Sequence, residues 1–268
     1  GVELWAADAP TAFPCPAATD LACTGDGRFR WLAGWRDFAD RQGVGQASDA
    51  IPGAAAFWFF APENLELVGK VFDGGPVNGF FWTYLAALSN LETSLTLFDV
   101  ATGAHADYAN PLGRFTSLGD VRSLPSAEAA GLESTTASWL RSLRRFSADA
   151  PAAPGTCAPS STRLCLADGR FAVEVDWRDF AGRAGTGYAR ELSADTGSFR
   201  FFAADNPELV VKILDGAGSN GHFWVFAGAL GNLELELTVS DTLTGVRQIY
   251  SSPLGRFMSF GDLSSFPQ

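Results

Sequence analysis

Four cysteines, two histidines and two loops that pair Asp with Asn are the residues whose types and spacing could do chemistry. Cys15/Cys23 and Cys157/Cys165 both follow the pattern C-x7-C. Zinc sites use closer cysteine spacing with histidine partners, and neither His105 nor His222 is near a pair. The spacing predicts two local disulfides, each tying the start of a domain to its first strand, and so an oxidising compartment. The loops Asp73-Gly-Gly-Pro-Val-Asn78 and Asp215-Gly-Ala-Gly-Ser-Asn220 each place two oxygen-bearing side chains around a tight bend. Calcium takes about six to eight oxygens, so Asp73, Asn78, Asp215 and Asn220 are the candidate ligands. Asp-Gly and Asn-Gly are also strong hairpin formers, and that turn-forming reading carries more weight.

The chain is written twice. An offset of 142 residues takes Cys23 to Cys165, Trp35 to Trp177, Lys70 to Lys212, Trp82 to Trp224 and Tyr108 to Tyr250 without a gap. A match this long marks an internal repeat. Catalytic groups shared by both copies would appear twice. His105 falls on Arg247 and His222 on Phe80, which excludes a shared Ser-His-Asp or Cys-His arrangement. The polar residues that recur include Arg36/Arg178, Asp37/Asp179, Glu66/Glu208, Lys70/Lys212, Asn90/Asn232, Glu92/Glu234 and Asp99/Asp241. Glu66 and Lys70 are an even number of residues apart, so they share one face of a strand and can pair with neighbouring strands. Such residues read first as scaffold charge pairs. Two of the many carboxylates could instead flank a sugar as a glycosidase pair, but spacing cannot place them across a cleft.

The elements that carry these residues read as strands. Phe171, Val173, Val175 and Trp177 alternate with Ala172, Glu174, Asp176 and Arg178, and Leu233, Leu235, Leu237 and Val239 alternate with polar residues. A period of two marks strands with one buried face. Further candidates are GYARELS, SFRFFA, ELVVKIL, HFWVFAGA and GVRQIY, separated by Gly- and Asn-rich turns. Seven or eight short strands per copy predict an all-β chain of two tandem antiparallel β-sandwiches, with a small barrel as the runner-up. The boundaries read 1–125 for the first sandwich, 126–146 for a short helical or irregular linker, and 147–268 for the second. In the linker Trp139, Leu140, Leu143 and Phe146 recur at helical spacing. Alternation is lost at Trp31-Leu32-Ala33-Gly34, which leaves the first copy's opening strand open to doubt. Retained aromatics such as Phe59, Phe81 and Trp82, with Phe201, Phe223 and Trp224, are expected to fill the core. Trp31 and Trp58 differ between copies (Val173 and Arg200 in the second), so they are the candidate exposed aromatics for a ligand.

Charge and composition narrow the function. The 268 residues carry a formal net charge of -11, with 47% hydrophobic and 13% aromatic content. The acidic balance argues against nucleic acid and anionic membranes, and no apolar run is long enough to cross a bilayer. Gly1 reads as the start of a processed or trimmed chain.

The run VDWRDFAGRAGTG, followed by ELVVKILDG, NGHFWVFAGAL, LTVSDTLTG and PLGRF, resembles a domain repeated in secreted proteins of environmental bacteria such as acidobacteria. The resemblance covers about four fifths of the chain. It implies a secreted module, often in tandem or C-terminal, and carries no activity with it. Together these readings lead to the expectation of a non-enzymatic extracellular structural or adhesive protein. Self-association is expected, as a fibre or surface-layer subunit, with the strand-like Val2, Leu4 and Trp5 adding to a neighbour's sheet. The alternatives are a carbohydrate-binding protein using Trp31 or Trp58, and a secreted glycosidase-like enzyme. No cofactor is expected apart from the calcium option.

Overall fold

The computed structural model describes residues 13–126 and 156–268. The N-terminal segment with Val2, Leu4 and Trp5, and the linker beyond Ser126, lie outside the described residues. Repeat 1 opens with β1 (Leu21–Thr24), β2 (Phe29–Arg36), β3 (Gln42–Val44), β4 (Gln46–Ser48) and β5 (Ala55–Trp58). It continues through β6 (Leu65–Asp73), one helical turn α1 (Gly75–Asn78), β7 (Phe80–Ala87), β8 (Glu92–Asp99), β9 (His105–Asn110) and β10 (Ser117–Pro125). Repeat 2 copies the order: β11 (Leu164–Leu166), β12 (Phe171–Arg178), β13 (Ala184–Thr186), β14 (Tyr188–Glu191) and β15 (Thr196–Arg200). It closes with β16 (Pro207–Asp215), β17 (His222–Ala229), β18 (Glu234–Asp241), β19 (Arg247–Ser252) and β20 (Ser259–Pro267).

The chain is all-β, and each repeat is a sandwich of two antiparallel sheets. One sheet runs β1-β2-β8-β9, with β3 also on β2, and the other runs β10-β7-β6-β5-β4. Repeat 2 has the same pair, β11-β12-β18-β19 with β13, and β14-β15-β16-β17-β20. Side chains alternate in a strand, so each sheet turns one apolar face to its partner. Phe29, Trp31, Leu67, Leu85 and Leu97 fill the first core, and Phe171, Val173, Leu209, Val225 and Leu237 the second. A third apolar cluster joins the repeats: Ala56, Val68, Ala86 and Leu88 meet Val210 and Leu230. The β6 and β16 sheets therefore pack against each other, and the molecule is a stack of four sheets with these two inside. That double burial explains why β6 and β16 are almost wholly buried on both faces.

Two expectations about tryptophans are corrected here. Trp31 is fully buried, with 0% exposure, and its indole N–H donates to Thr24 Oγ1 at 2.9 Å. The ring has room because Gly69 lies opposite: a Cβ there would stand 2.9 Å from the indole. Repeat 2 has Val173 and Val211 at the equivalent positions, so one large and one absent side chain replace two medium ones. The difference between copies thus reflects a volume exchange inside the core, the kind of swap cores tolerate, rather than release to the surface. The strand doubted at this point forms, because Trp31 and Ala33 keep the inward positions while Leu32 faces out. Trp58 is half-buried against the cluster between the repeats.

Both predicted disulfides are present, Cys15–Cys23 and Cys157–Cys165, and the described residues contain no free cysteine. No helix among the described residues is long and apolar enough to cross a membrane.

Candidate functional site: the junction of the repeats

The recurring polar residues sort into groups that hold turns and a group that holds the two repeats together. In each copy a short turn precedes the inner strand, with the N–H of Asn64 bonding to Ala61 O and that of Asn206 to Ala203 O. The turn presents an Asn two residues before a Glu, and the strand presents a Lys four residues after it. Glu66 and Lys70 do share a face, as their spacing predicts. Their partners, however, sit on the other repeat rather than on neighbouring strands.

Lys70 Nζ donates to Asn206 Oδ1 at 2.7 Å and to Pro207 O at 2.7 Å, and lies 3.4 Å from Glu208 Oε2. Lys212 Nζ reciprocates: it donates to Asn64 Oδ1 at 2.7 Å, to Leu65 O at 3.1 Å and to Glu66 Oε2 at 3.3 Å. Each Asn amide closes the ring by donating to the other oxygen of the Glu on its own repeat. Lys70 and Lys212 are 2% and 1% exposed. An ammonium has three donors, and all three are engaged in both copies. Burial pushes the Lys70 amine down to about 8 against the opposing pull of Glu208. It lowers the Lys212 amine too, and raises the Glu66 and Glu208 carboxyls. These charges are held inside by each other and by complete hydrogen bonding, which is the condition for a buried ion pair to persist.

The lock is flanked by two equivalent clefts, each walled by both repeats. One, of about 340 Å³, lies over Lys70 and Glu208 between Phe72, Trp82 and Tyr84 on one side and Phe202, Leu230 and Asn232 on the other. Its twin, of about 280 Å³, lies over Lys212 and Glu66 between Trp224 and Phe226 on one side and Phe60, Leu88 and Asn90 on the other. Trp82 and Trp224 therefore line these clefts, half-buried, instead of filling a core as expected. Phe59, Phe81, Phe201 and Phe223 do fill the cores.

The predicted calcium loops act as clamps for these tryptophans. Asn78 Oδ1 accepts the Trp82 indole N–H at 3.0 Å while its amide donates to Val121 O. Asn220 repeats both contacts with Trp224 and Leu263 O. Asp73 Oδ1 accepts the Gly75 N–H, and Asp215 Oδ1 accepts the Ala217 N–H. No group of three or more metal-ligating side chains occurs among the described residues. The side-chain oxygens that spacing offered to calcium are thus engaged in capping turns and orienting indoles.

Recurring pairs hold the rest. Asp37 and Asp179 each accept two backbone N–H groups in the β2–β3 and β12–β13 turns, and pair with Arg41 and Arg183. Arg28 grips the buried Asp99 with two hydrogen bonds, and Arg170 grips Asp241. Burial works to raise the Asp99 and Asp241 carboxyls, yet the arginines, the Ala101 and Leu243 N–H groups and nearby hydroxyls hold both below the ordinary value. Sequence reading missed Arg28, Arg170, Asn64 and Asn206, although all four recur at the repeat offset; that recurrence was the signal.

The outer sheets carry a second pair of concavities, of about 670 and 710 Å³, lined by Arg36 and Glu92 in one repeat and by Arg178 and Glu234 in the other. Arg36 pairs with Glu92 and Arg178 with Glu234, and in repeat 2 Asp176 also stands opposite Glu236 on the neighbouring strand. His105 and His222 lie in different surroundings, one beside Asp107 and the other beside Asn220. In comparisons with known proteins, no family model, no curated protein and no solved structure matches the chain.

Proposed function

We propose that the chain is a non-enzymatic extracellular protein with a structural or adhesive role, built as one doubled block. The observation that carries this reading is the reciprocal lock. The buried lysines and glutamates at the junction are held by each other and by Asn64 and Asn206. The lysine donors are spent on these contacts, and general acid–base catalysis needs a proton donor or acceptor within reach of substrate. What they do supply is a fixed relation between two copies of one surface, which suits multivalent contact. The two disulfides are compatible with an oxidising setting outside the cell. The outer sheets have β9 and β19 at one end, and among the described residues no strand pairs with their outer edges, where a strand from another chain could add. The segment of Val2, Leu4 and Trp5 is proposed as that strand.

The test takes purified full-length chain and the chain lacking residues 1–6 through sedimentation velocity and negative-stain microscopy at rising concentration. Polysaccharides are incubated in parallel and assayed for new reducing ends. Expected are concentration-dependent assemblies that need residues 1–6, and no release of reducing ends. Turnover of any polysaccharide overturns the non-enzymatic reading. A full-length chain that stays monomeric throughout overturns the self-assembly part.

A further inference from the structure

The twin clefts at the repeat junction have the features of a small-ligand site, and neither exists in a single repeat. We propose that each cleft binds a sugar unit of an uncharged polysaccharide, so that one chain holds two glycan segments. This rests on the adhesive reading and names what is adhered to.

Three observations carry it. First, each cleft has an aromatic wall whose tryptophan is locked. The Trp82 indole is fixed by Asn78, and Gly74 lies so close that a Cβ there would stand 2.0 Å from its Nε1. Trp224 is fixed by Asn220 and backed by Gly216 in the same way. A preset aromatic face costs no ordering on binding, and apolar walls with a few convergent polar groups are the usual form of small-ligand sites. Second, the facing wall presents an amide with nothing to bond. The side chains of Asn232 and Asn90, kept in both copies, make no hydrogen bond among the described residues. Each lines the cleft opposite the tryptophan. An unpartnered carboxamide offers both donor and acceptor, which is what a ring of hydroxyls needs. Third, the floor is charged but closed. The ammonium and carboxylate at each floor compensate each other and have no free donor, so an ionic ligand gains no counter-charge from them. Among the described residues Asp73 is the only other charged residue lining the first cleft, where it holds the Gly75 N–H, and the second cleft has none. Volumes of about 340 and 280 Å³ suit one or two sugar rings rather than a peptide.

The probes are soluble xylan, mannan, laminarin and hydroxyethylcellulose, with polygalacturonate as the charged control, titrated calorimetrically into the full chain. The expected result is that at least one neutral polymer binds with two sites per chain, and with an affinity unchanged by salt. Trp82→Ala or Trp224→Ala alone leaves one site, and the double variant weakens binding at least tenfold. Asn90→Ala with Asn232→Ala, which removes no side-chain hydrogen bond among the described residues, weakens binding several-fold while leaving the melting temperature unchanged. That pair keeps the test valid if the tryptophan variants fail to fold. Binding to none of the neutral polymers overturns the proposal, as does binding that both double variants retain, or binding to polygalacturonate alone that salt abolishes. If a polymer binds and is also cleaved, the adhesive reading fails while the cleft assignment stands. If none binds and the chain still assembles, the cleft assignment fails alone.

Discussion

The polar lock between the repeats and the outer concavities differ in how far their polar residues have diverged. On the inner faces Asn64, Glu66, Lys70, Trp82, Leu88 and Asn90 all have identical counterparts in Asn206, Glu208, Lys212, Trp224, Leu230 and Asn232. In the outer concavities Gly34 has become Asp176, Gln42 Ala184, Val44 Thr186 and Ser94 Glu236. Each lock residue meets the lock of the other copy, so a change there must fit both, whereas the apolar surround has changed, as at Ala56 (Ser198), Leu65 (Pro207) and Ala86 (Gly228). The outer face meets only solvent or a partner, and duplication freed it. A pair of like charges, Asp176 opposite Glu236, is tolerated outside; an unpaired charge inside is not.

The sharpest way to break this comparison is to remove one inner charge. Lys70→Met leaves Glu208 buried without its cation, and breaking a buried pair costs about 3–5 kcal/mol. Arg36→Met, which breaks the exposed pair with Glu92, is expected to cost far less, because solvent screens that pair. Urea unfolding of the two variants measures both, and equal costs would contradict the distinction between faces. Replacing Lys70 and Glu208 together by Met is expected to recover most of the loss, because an apolar pair needs no compensation.

The next effect concerns the core exchange. Trp31→Val leaves a cavity next to Gly69 and is expected to cost about 3 kcal/mol. Gly69→Val alone drives a side chain into the indole and is also destabilising. The double variant, which copies repeat 2, is expected to be more stable than either single one. A purely additive double variant in a mutant cycle would remove the compensation argument.

A smaller contribution should appear with acid. The Asp99 and Asp241 carboxyls titrate below their ordinary value in the folded state. Their stabilisation is therefore complete above the unfolded carboxylate value, about 3.9, and is lost as pH falls through the lower folded values. Asp99→Asn should flatten the acid limb of a plot of stability against pH; a limb of unchanged slope would sink the assignment. The smallest change is on the outer face. Glu236→Gln relieves the repulsion by Asp176 and is expected to stabilise by about 0.2–1 kcal/mol at neutral pH, an effect that salt suppresses. Ser94→Glu in repeat 1, opposite Gly34, should do nothing comparable.

Much of this architecture was legible in the chain. Period-two alternation gave the strands, C-x7-C gave the disulfides, and the exact spacing of Glu66 and Lys70 gave their shared face. What the chain could not give was the partner across that face. A strand buried on both sides by two different bodies shows the same alternation of charged and apolar residues as one with a wet side, until the second body is seen. The same blind spot misplaced the tryptophans. Trp31 reads as a surface residue because it differs between copies, but its variation is matched by Gly69 some distance along the chain. Trp82 reads as core because it recurs at an alternating strand position, but it lines a cleft that both repeats build. In the Asp-Gly and Asn-Gly turns the asparagines hold those indoles and the aspartates cap the bend.

The central claim is that the two repeats form one unit through the reciprocal lock. Differential scanning calorimetry of the full chain tests it most directly. The account predicts a single transition at neutral pH, with van't Hoff and calorimetric enthalpies in agreement, that splits in two when both Lys70 and Lys212 are changed to Met. Two independent transitions in the unmodified chain, or one unsplit transition in the double variant, would contradict it.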